Sequence, residues 1–386
     1  MRELRSSFES IETPFYYYDL DLLRNTLGGI KSEVEGFPYH IHFALKSNCN
    51  PRILEIIKDH GFGADCVSGN EVRLALDTGF KKEEVVFAGV GKTDKELKYG
   101  LEQEIFSFNV ESIQELEVLE ELAGTMGKKA KFALRLNPNV DAGTHQYITT
   151  GKRDNKFGVT FEELKGSLEL IKSLKNLEFI GTHFHIGSQI TELERFSQLV
   201  ERVNWVQDYL SEEGFHLPNI NVGGGLGIDY DNPIDNPIPD FKKYLGFFKN
   251  ELKLQDGQQL HFELGRSIVG QCGSLITRVL YNKPGDGKSF LIVDAGMTEL
   301  IRPALYQATH QIENLSSDSG VNEIFDVVGP ICESSDAFAR GISLPDSKRG
   351  DILAIRSAGA YAEVMRSVYN LRDAAPSVFS DDLKEH

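Results

Sequence analysis

The chain has 386 residues, 40% of them hydrophobic, and its 58 acidic side chains outnumber 41 Lys and Arg to give a formal net charge of −17. An acidic chain of this kind disfavours nucleic acid or an anionic membrane as a partner. The length allows one large domain and a smaller one. No apolar run reaches the length of a membrane span, and the N-terminal residues lack the apolar segment of a signal peptide, so we expect neither.

The first two thirds of the chain alternate between short apolar runs and segments with helical spacing. The alternation predicts βαβ units and a parallel sheet. Eight units favour a (β/α)8 TIM-type barrel over an open sheet. The predicted strands are 41–45, 61–66, 85–88, 104–108, 131–136, 178–185, 219–223 and 259–263, and the clearest predicted helices are 111–123, 162–175, 194–210 and 240–253.

After about residue 270 the pattern changes to strands separated by turn residues. We predict antiparallel strands of a second, C-terminal all-β barrel-like domain, which the early run 13–19 joins. The predicted strands are 274–281, 289–296, 323–330 and 351–359. The predicted domains are therefore 30–270 for the barrel and 1–29 with 271–386 for the β-rich domain, with 231–240 as a loop inside the barrel.

Active sites of such barrels lie at the C-terminal ends of the strands. The predicted strands end in chemically active residues, namely Lys46, Asp65, His183 with His185 and Ser188, Gly223 to Gly225, and Glu263 with Gly265 and Arg266. A lysine at the end of a buried strand loses hydration, and its amine becomes a nucleophile able to form a Schiff base. The alternative is an ordinary strand-end lysine that reaches solvent.

The polar residues beside Lys46 suggest pyridoxal phosphate as the cofactor. The three glycines can bring backbone N–H groups close to a phosphate, which Arg266 would also bind, although a tight turn would need glycines too. Glu263 would pair with the pyridine nitrogen, or else with a basic protein residue. His185 would lie flat on the ring, or else be a hydrogen-bonded core histidine.

At this point the chain resembles the fold-type III pyridoxal-phosphate decarboxylases, and among them the diaminopimelate decarboxylases. The resemblance runs from about residue 12 to 380 and rests on motifs in order: FALKSN, GADCVSGNE, DAGTHQYITTG followed by NKFG, HFHIGSQI, NVGGGLGIDY, ELGRSIVG, DAGMTELIRPALYQATH, GPICESSDAFAR and GAYAEVMRSVYN. It implies decarboxylation of meso-2,6-diaminopimelate to L-lysine and carbon dioxide, the last step of lysine biosynthesis. It also implies a homodimer with shared active sites.

The resemblance further implies roles for individual residues. Lys46 would carry the cofactor. Cys332 and Glu333 would be contributed by the other subunit, and Cys332 would protonate the substrate carbon. The implied cofactor-binding residues are Lys46, Asp65, His185, Ser188, Gly224, Gly225, Glu263, Gly265, Arg266 and Tyr361, and the implied substrate-binding residues are Arg266, Arg302, Tyr306, Glu333 and Tyr361.

Arg302 separates the possible substrates. Its fork suits the distal carboxylate of diaminopimelate, whereas ornithine would require an acidic pocket; on residue type alone Arg302 could instead form a surface salt bridge. The remaining alternatives are a decarboxylase for another basic amino acid or carboxynorspermidine, an amino-acid racemase, and an inactive cofactor-binding homologue.

Several further features complete the prediction. Leu264 replaces the family's usual proline and Ala362 its usual glycine. The polar stretch 141–157 is a candidate lid over the site. Four cysteines lie without metal-ligand spacing, so we expect no metal site and a reducing, cytoplasmic setting; they are Cys49, Cys66, Cys272 and Cys332.

Overall fold

The computed structural model describes residues 1–140 and 156–383. Its internal contacts divide the chain into two compact units. The barrel unit comprises Leu27–Gly227 and Asp240–Gly265. The β unit comprises Met1–Thr26, Ile228–Pro239 and Arg266–His386. The candidate lid, 141–157, lies almost entirely outside the described residues.

Sixteen strands and twelve α-helices make up the described fold. The strands are β1 (Phe15–Tyr18), β2 (Tyr39–Ala44), β3 (Gly63–Cys66), β4 (Val85–Phe87), β5 (Ser107–Val110), β6 (Ala130–Arg135), β7 (Leu177–His183), β8 (Asn219–Asn221), β9 (Gln259–Leu264), β10 (Gly273–Pro284), β11 (Ser289–Val293), β12 (Ile312–Asn314), β13 (Asn322–Val328), β14 (Ala337–Pro345), β15 (Ile352–Ile355) and β16 (Ser377–Phe379). The helices are α1 (Arg5–Glu9), α2 (Leu20–Val34), α3 (Pro51–Asp59), α4 (Gly69–Thr78), α5 (Asp94–Gln103), α6 (Ile113–Met126), α7 (Phe161–Ser173), α8 (Glu194–Glu212), α9 (Phe241–Glu251), α10 (Arg266–Val269), α11 (Arg302–Tyr306) and α12 (Ser380–Leu383). In the described part of the chain, none of these helices is long and apolar enough to cross a membrane.

The barrel unit contains the predicted parallel barrel. Strands β2 to β9 close in sequence order, and β9 pairs with β2 in parallel. Every predicted strand of the barrel is present within a few residues of its predicted place. Strands β3, β4 and β5 are buried along their whole length, as expected for a parallel sheet covered by helices. The (β/α)8 prediction is confirmed.

Side-chain caps fix where the barrel helices begin. The Ser68 and Ser112 side chains accept hydrogen bonds from the backbone N–H groups three residues on. Thr93 and Thr160 go further, because each forms a capping box with a glutamate at the third helical position. Such caps satisfy backbone donors that have no partner within the helix. The strand ends that precede these helices are thereby held in place.

The β unit contains the second, mostly antiparallel sheet. Its strands run in the order β12–β15–β10–β11–β13–β14, and β1 pairs with β10 and β16. The early strand therefore joins this sheet, as predicted. The prediction of purely antiparallel pairing is wrong at two places, because β11 with β13 and β1 with β16 pair in parallel. Strands β12, β14 and β16 were not predicted, because they are short or poor in buried residues.

The internal segment 228–239 groups differently from the sequence-based domain limits, as do the short boundary stretches 27–29 and 266–270. Residues 231–240 do form a loop between β8 and α9, but Ile228–Pro239 cluster with the β unit. Tyr230 is the reason, because its hydroxyl and ring contact Arg266, Arg302 and His310 of that unit. A run rich in Asn, Pro and Asp correctly indicates a loop, but it does not indicate what the loop packs against.

Candidate active site

Lys46 lies directly after strand β2, in a one-turn 3-10 helix, Leu45–Ser47. Its side chain is 37% exposed, and Nζ donates a hydrogen bond to Asp65 Oδ2 over 3.3 Å. The neighbouring Gly265 packs closely here, since a Cβ on it would lie 2.9 Å from Ser47 Oγ and 3.1 Å from Ala44 Cβ. The strand end therefore presents the lysine at the barrel mouth, as the sequence predicted. The structure adds the carboxylate of Asp65 as its partner.

Asp65 is the fully buried partner of Lys46, at the end of β3. Burial raises the pKa of Asp65 to about 7; the charge of Glu263 adds to the effect, and Lys46 opposes it. Its Oδ1 is buried and has no hydrogen-bond partner among the described residues. Asp65 thus binds the Lys46 amine through Oδ2. The protonation state of Asp65 depends on the charges of Glu263 and Lys46.

Glu263 lies in β9 and receives three hydrogen bonds inside the barrel. Oε1 accepts from Asn109 Nδ2 at 2.8 Å and from Asn221 Nδ2 at 2.7 Å, and Oε2 accepts from His183 Nε2 at 3.0 Å. Burial opposes ionisation, but the charge and hydrogen bond of His183, followed by Lys46 and His185, lower the pKa of Glu263 below its ordinary value. Glu263 is therefore an anion in this site.

Two of these partners, Asn109 and Asn221, were not predicted from the sequence, and the third, His183, was given no role. Asn109 and Asn221 are buried amides inside short strands, β5 and β8. An amide in an otherwise apolar strand must find a hydrogen-bond partner, which is the signal that could have identified both residues. His183 is a basic protein residue paired with Glu263, which is the alternative considered from the sequence. A carboxylate accepts about four hydrogen bonds, so the three protein donors leave room for one more.

His185 is fixed by the glycine loop after β8. The Gly224 N–H donates to His185 Nδ1 at 3.2 Å, so the imidazole carries its proton on Nε2. Burial, and then the charges of Arg135 and Lys46, lower the pKa of His185 well below its ordinary value. A neutral, oriented imidazole fits the predicted role of lying flat on an aromatic cofactor.

The glycines of this loop are required by the backbone itself. A Cβ on Gly224 would overlap the carbonyl oxygen of Glu263, and Gly225 has a φ of +110°, which side chains rarely adopt. The Gly223 N–H binds Asn221 Oδ1, and the Gly224 N–H binds His185. The loop is therefore a tight turn in which two of the three amides have protein partners, and its contact with a phosphate stays a prediction.

The residues of the barrel unit fit pyridoxal phosphate. Lys46, at a strand end, can react with the aldehyde of the cofactor. The anionic Glu263, with one acceptor position left, can bind the pyridine nitrogen. The neutral His185 can pack against the face of the ring. Ser188, in the segment after β7, is partly exposed. We call Lys46, Asp65, His183 and Glu263 the carboxylate cluster.

The β unit contains a second set of predicted site residues. Arg266 Nη1 donates to the Tyr230 hydroxyl at 2.6 Å, and its guanidinium lies over the Tyr361 ring at 4.7 Å. Tyr361 has a φ of +57°, a strained conformation for a tyrosine, of the kind that often marks functional sites. Ala362 has a φ of −112°, which any residue adopts, so replacement of the family's glycine adds no backbone strain.

Arg302, at the start of α11, belongs to the same set. It is 5% exposed, so the surface salt bridge considered from the sequence is wrong. Nη1 contacts His310 Nε2 at 2.8 Å, the guanidinium lies 4.4 Å from the Tyr230 ring centre, and the buried Nε has no partner among the described residues. We call Tyr230, Arg266, Arg302, His310 and Tyr361 the guanidinium cluster. Tyr230 and His310 are members to which the sequence analysis gave no role.

The remaining predicted residues are Cys332, Glu333 and Tyr306 of the β unit and Leu264 of the barrel unit. Cys332 is exposed, and its backbone N–H donates to Asn370 Oδ1 at 3.2 Å. Glu333 accepts a 2.8 Å hydrogen bond from the Tyr369 hydroxyl. Tyr306 ends α11 and is partly buried. Leu264, which replaces the family's proline, is fully buried in β9 and paired with Phe43.

Comparisons with known proteins agree with this geometry. Residues 21–270 match the family described as pyridoxal-dependent decarboxylase, pyridoxal binding domain. A diaminopimelate decarboxylase of Bacteroides thetaiotaomicron is 54% identical over 377 residues, covering 97% of both chains. One from Aquifex aeolicus is 41% identical over 99% of this chain and 89% of that protein.

A solved structure agrees as well. The crystal structure of diaminopimelate decarboxylase from Helicobacter pylori, complexed with L-lysine, superposes with a TM-score of 0.92 at 40% identity, over 98% of this chain and 94% of that one. Identity at this level over nearly the whole length carries the family assignment and, with it, the pyridoxal phosphate cofactor. The chain belongs to the diaminopimelate decarboxylases, carboxy-lyases of the pyridoxal-phosphate-dependent fold-type III family.

Proposed function

We propose that Lys46 holds pyridoxal phosphate, and that the carboxylate cluster drives the decarboxylation of meso-2,6-diaminopimelate to L-lysine and carbon dioxide. The observation that carries the proposal is the set of three hydrogen bonds that the Glu263 carboxylate accepts from His183, Asn109 and Asn221. Strand β9, which bears Glu263, pairs directly with β2, which ends before Lys46. The bound cofactor supplies an electron sink for the carbon that loses its carboxylate.

The protein residues divide the remaining work. Lys46 binds the aldehyde carbon, and Asp65 orients its amine through the 3.3 Å hydrogen bond. The carboxylate of Glu263 keeps a proton on the pyridine nitrogen, which electrostatically stabilises the charge that develops on the ring. His185, held by the Gly224 amide, excludes water from one ring face. Ser188, Gly225, Gly265, Arg266 and Tyr361 are proposed contacts of the phosphate and the ring substituents.

Arg302 is the proposed recognition site for the distal carboxylate of the substrate. A guanidinium that is 5% exposed, with no hydrogen-bond partner at Nε among the described residues, is costly unless an anion binds it. A carboxylate fits two guanidinium N–H groups at once. Tyr306 and Glu333 are the proposed partners of the distal ammonium and of the chain between the two heads.

Cys332 is the proposed acid. Its thiol would give a proton to the carbon that has lost the carboxylate, and its exposure agrees with a role at a subunit boundary. Cys332→Ala should bind cofactor normally, while kcat falls about a hundredfold. Absorbance of the bound cofactor and steady-state formation of L-lysine measure the two quantities. A variant that turns over as fast as the parent would remove Cys332 from the mechanism.

The oligomer is proposed to be a homodimer with shared sites. The segment that contacts Cys332 and Glu333 exposes apolar side chains, with Leu371 91% and Val368 68% exposed. Such a patch is typical of a protein interface. Equimolar refolding of Lys46→Ala with Cys332→Ala should restore about a quarter of the parent activity, because one site of each mixed dimer is intact. Mixtures without activity would argue against shared sites.

The reaction itself is tested by incubating the purified protein with pyridoxal phosphate and meso-diaminopimelate. We expect L-lysine, detected by mass spectrometry, with one equivalent of carbon dioxide. Cofactor absorbance without lysine would redirect the assignment to another decarboxylase substrate, and epimerised substrate without carbon dioxide would indicate a racemase. None of the four cysteines, all within the described residues, takes part in a disulfide, which supports a cytoplasmic location; fractionation of cells that express the protein tests this placement.

A further inference from the structure

His310 lies four residues after α11 and makes two directed contacts. Its Nδ1 is 2.7 Å from the backbone carbonyl oxygen of Arg356, and its Nε2 is 2.8 Å from Arg302 Nη1. A carbonyl oxygen only accepts, so Nδ1 must carry a proton. A guanidinium only donates, so Nε2 must present a lone pair. The two neighbours therefore specify one tautomer of a neutral imidazole.

The surroundings of His310 maintain that neutral state. The imidazole is buried, the edge-on Tyr230 ring lies 4.9 Å away, and the charged groups that face it are Arg302 and Arg266. Burial, and then the charge of Arg302, lower the pKa of His310 to about 3; the hydrogen bond to Arg356 opposes this. A proton on Nε2 would point at a guanidinium and break the contact. The imidazole is thus a permanent acceptor at working pH.

The contact also orients the two edges of the Arg302 guanidinium that can bind a carboxylate. A guanidinium has an end-on edge, Nη1 with Nη2, and a side-on edge, Nε with Nη2, and either can bind a carboxylate with two hydrogen bonds. His310 accepts from one of the two N–H groups of Nη1 and thereby fixes the orientation of the guanidinium. The buried Nε, without a partner among the described residues, belongs to the side-on edge.

We propose that His310 is a positioning residue that makes this protein selective for substrates with a distal carboxylate. By holding Nη1, it turns the Nε–Nη2 edge of Arg302 toward that carboxylate. The inference rests on the proposed function, which assigns the distal carboxylate to Arg302, and it deepens that assignment. It concerns recognition only, since His310 contacts neither the cofactor nor the reacting carbon in the proposed mechanism.

The test compares two competitive inhibitors of the holoenzyme, L-lysine and 1,5-diaminopentane. The two molecules share the amine chain, and only L-lysine has the carboxylate. His310→Phe keeps an aromatic ring against Tyr230 but removes the acceptor, and His310→Gln keeps an acceptor near the position of Nε2. We expect His310→Phe to weaken L-lysine at least about tenfold while 1,5-diaminopentane changes less than about twofold, and His310→Gln to recover most of the difference.

Substrate kinetics give the same contrast. The KM for meso-diaminopimelate should rise in His310→Phe, with most of the loss of kcat/KM in KM, because the lost interaction is made equally in the ground and transition states. Parallel weakening of both inhibitors, or no recovery with His310→Gln, would mean that His310 only supports packing and would overturn the inference.

Arg302→Lys separates the inference from the proposed function. If Arg302→Lys leaves the ratio of the two inhibition constants unchanged, the assignment of the distal carboxylate to Arg302 fails. If Arg302→Lys collapses the ratio but His310→Phe leaves it at the parent value, the proposed function stands and the inference fails. Should His310→Phe not fold, nitrogen NMR of the parent holoenzyme decides: a neutral imidazole protonated at Nδ1 is expected, and protonation at Nε2 overturns the inference.

Discussion

The two clusters use opposite solutions to the same problem of keeping a charge inside a protein. In the carboxylate cluster of the barrel unit, the anion of Glu263 receives three hydrogen bonds and Asp65 has Lys46 as its partner. In the guanidinium cluster of the β unit, Arg302 and Arg266 meet a neutral imidazole and tyrosines instead. The carboxylate cluster pairs its anions with basic side chains, whereas Arg302 of the guanidinium cluster contacts a neutral imidazole and an aromatic ring.

The difference indicates a division of labour. Charges that must stabilise a reaction are most effective when they are fixed and oriented beforehand, since reorganisation during the reaction is costly. Charges that must attract a ligand should lack a competing ion pair, because that pair would have to be broken on binding. The comparison therefore predicts that changes in the carboxylate cluster act on kcat, and that changes in the guanidinium cluster act on affinity.

The largest effect is expected at Lys46. Lys46→Ala should lower kcat by about 10⁴-fold or more, because the covalent attachment that positions the cofactor is lost. Carbon dioxide release and the visible absorbance of the bound cofactor measure the change. Lys242→Ala, at an exposed lysine on α9, is the matched control. Retention of both signals in Lys46→Ala would place the attachment at another lysine.

Glu263→Gln is expected to have the next largest effect. The amide keeps the shape of the side chain but cannot stabilise a proton on the pyridine nitrogen, so kcat should fall about 10²- to 10³-fold. Cofactor affinity should change far less. Steady-state kinetics and cofactor titration measure the two quantities, with the exposed Glu178→Gln of β7 as the control. A loss that lies mainly in affinity would break the proposed division of labour.

Arg266→Lys tests the other side of the comparison. A lysine cannot both donate to the Tyr230 hydroxyl and lie flat over Tyr361, so the affinity for pyridoxal phosphate should fall about tenfold while kcat at saturating cofactor changes little. The exposed Arg349→Lys is the control in the same unit. If kcat falls more than affinity, the guanidinium cluster takes part in the chemistry.

The smallest effect, on the stability of the cofactor-free protein, is expected from Asp65→Asn. Burial raises the pKa of Asp65 from 3.8 to about 7, so the folded state binds more protons than the unfolded state between these values. The free energy of unfolding contributed by Asp65 therefore falls as pH rises through this range. Asp65→Asn should flatten that dependence and be more stable than the parent above pH 7, by on the order of 2 kcal/mol.

Chemical denaturation of the cofactor-free protein from pH 4 to 8 measures this dependence. Asp59→Asn changes an exposed carboxylate and should leave the curve unaltered. A parent whose stability rises with pH across the whole range would show that Lys46 keeps Asp65 ionised, and the ion pair would then be stronger than its 3.3 Å separation suggests.

Residues that interrupt a repeated pattern were predictable, and residues that merely complete a hydrogen-bond network were not. Lys46, Glu263 and the glycine loop end predicted strands, where a barrel concentrates its chemistry. Asn109 and Asn221 lie inside strands that sequence periodicity treats as core, and their role exists only because three strands bring them to one carboxylate. The local sequence pattern does not predict hydrogen bonds between side chains on different strands.

By itself, the sequence determined the barrel, the membership of strand β1 in the second sheet, and the motifs that carry the family, since period, strand ends and spacing are local properties of the chain. Only the tertiary structure decided that Glu263 is held anionic by His183, that two glycine amides are occupied by protein partners, and that Tyr230 and His310 surround Arg302. These facts depend on which side chains distant in sequence come within hydrogen-bond distance, and on the burial that then shifts their pKa values.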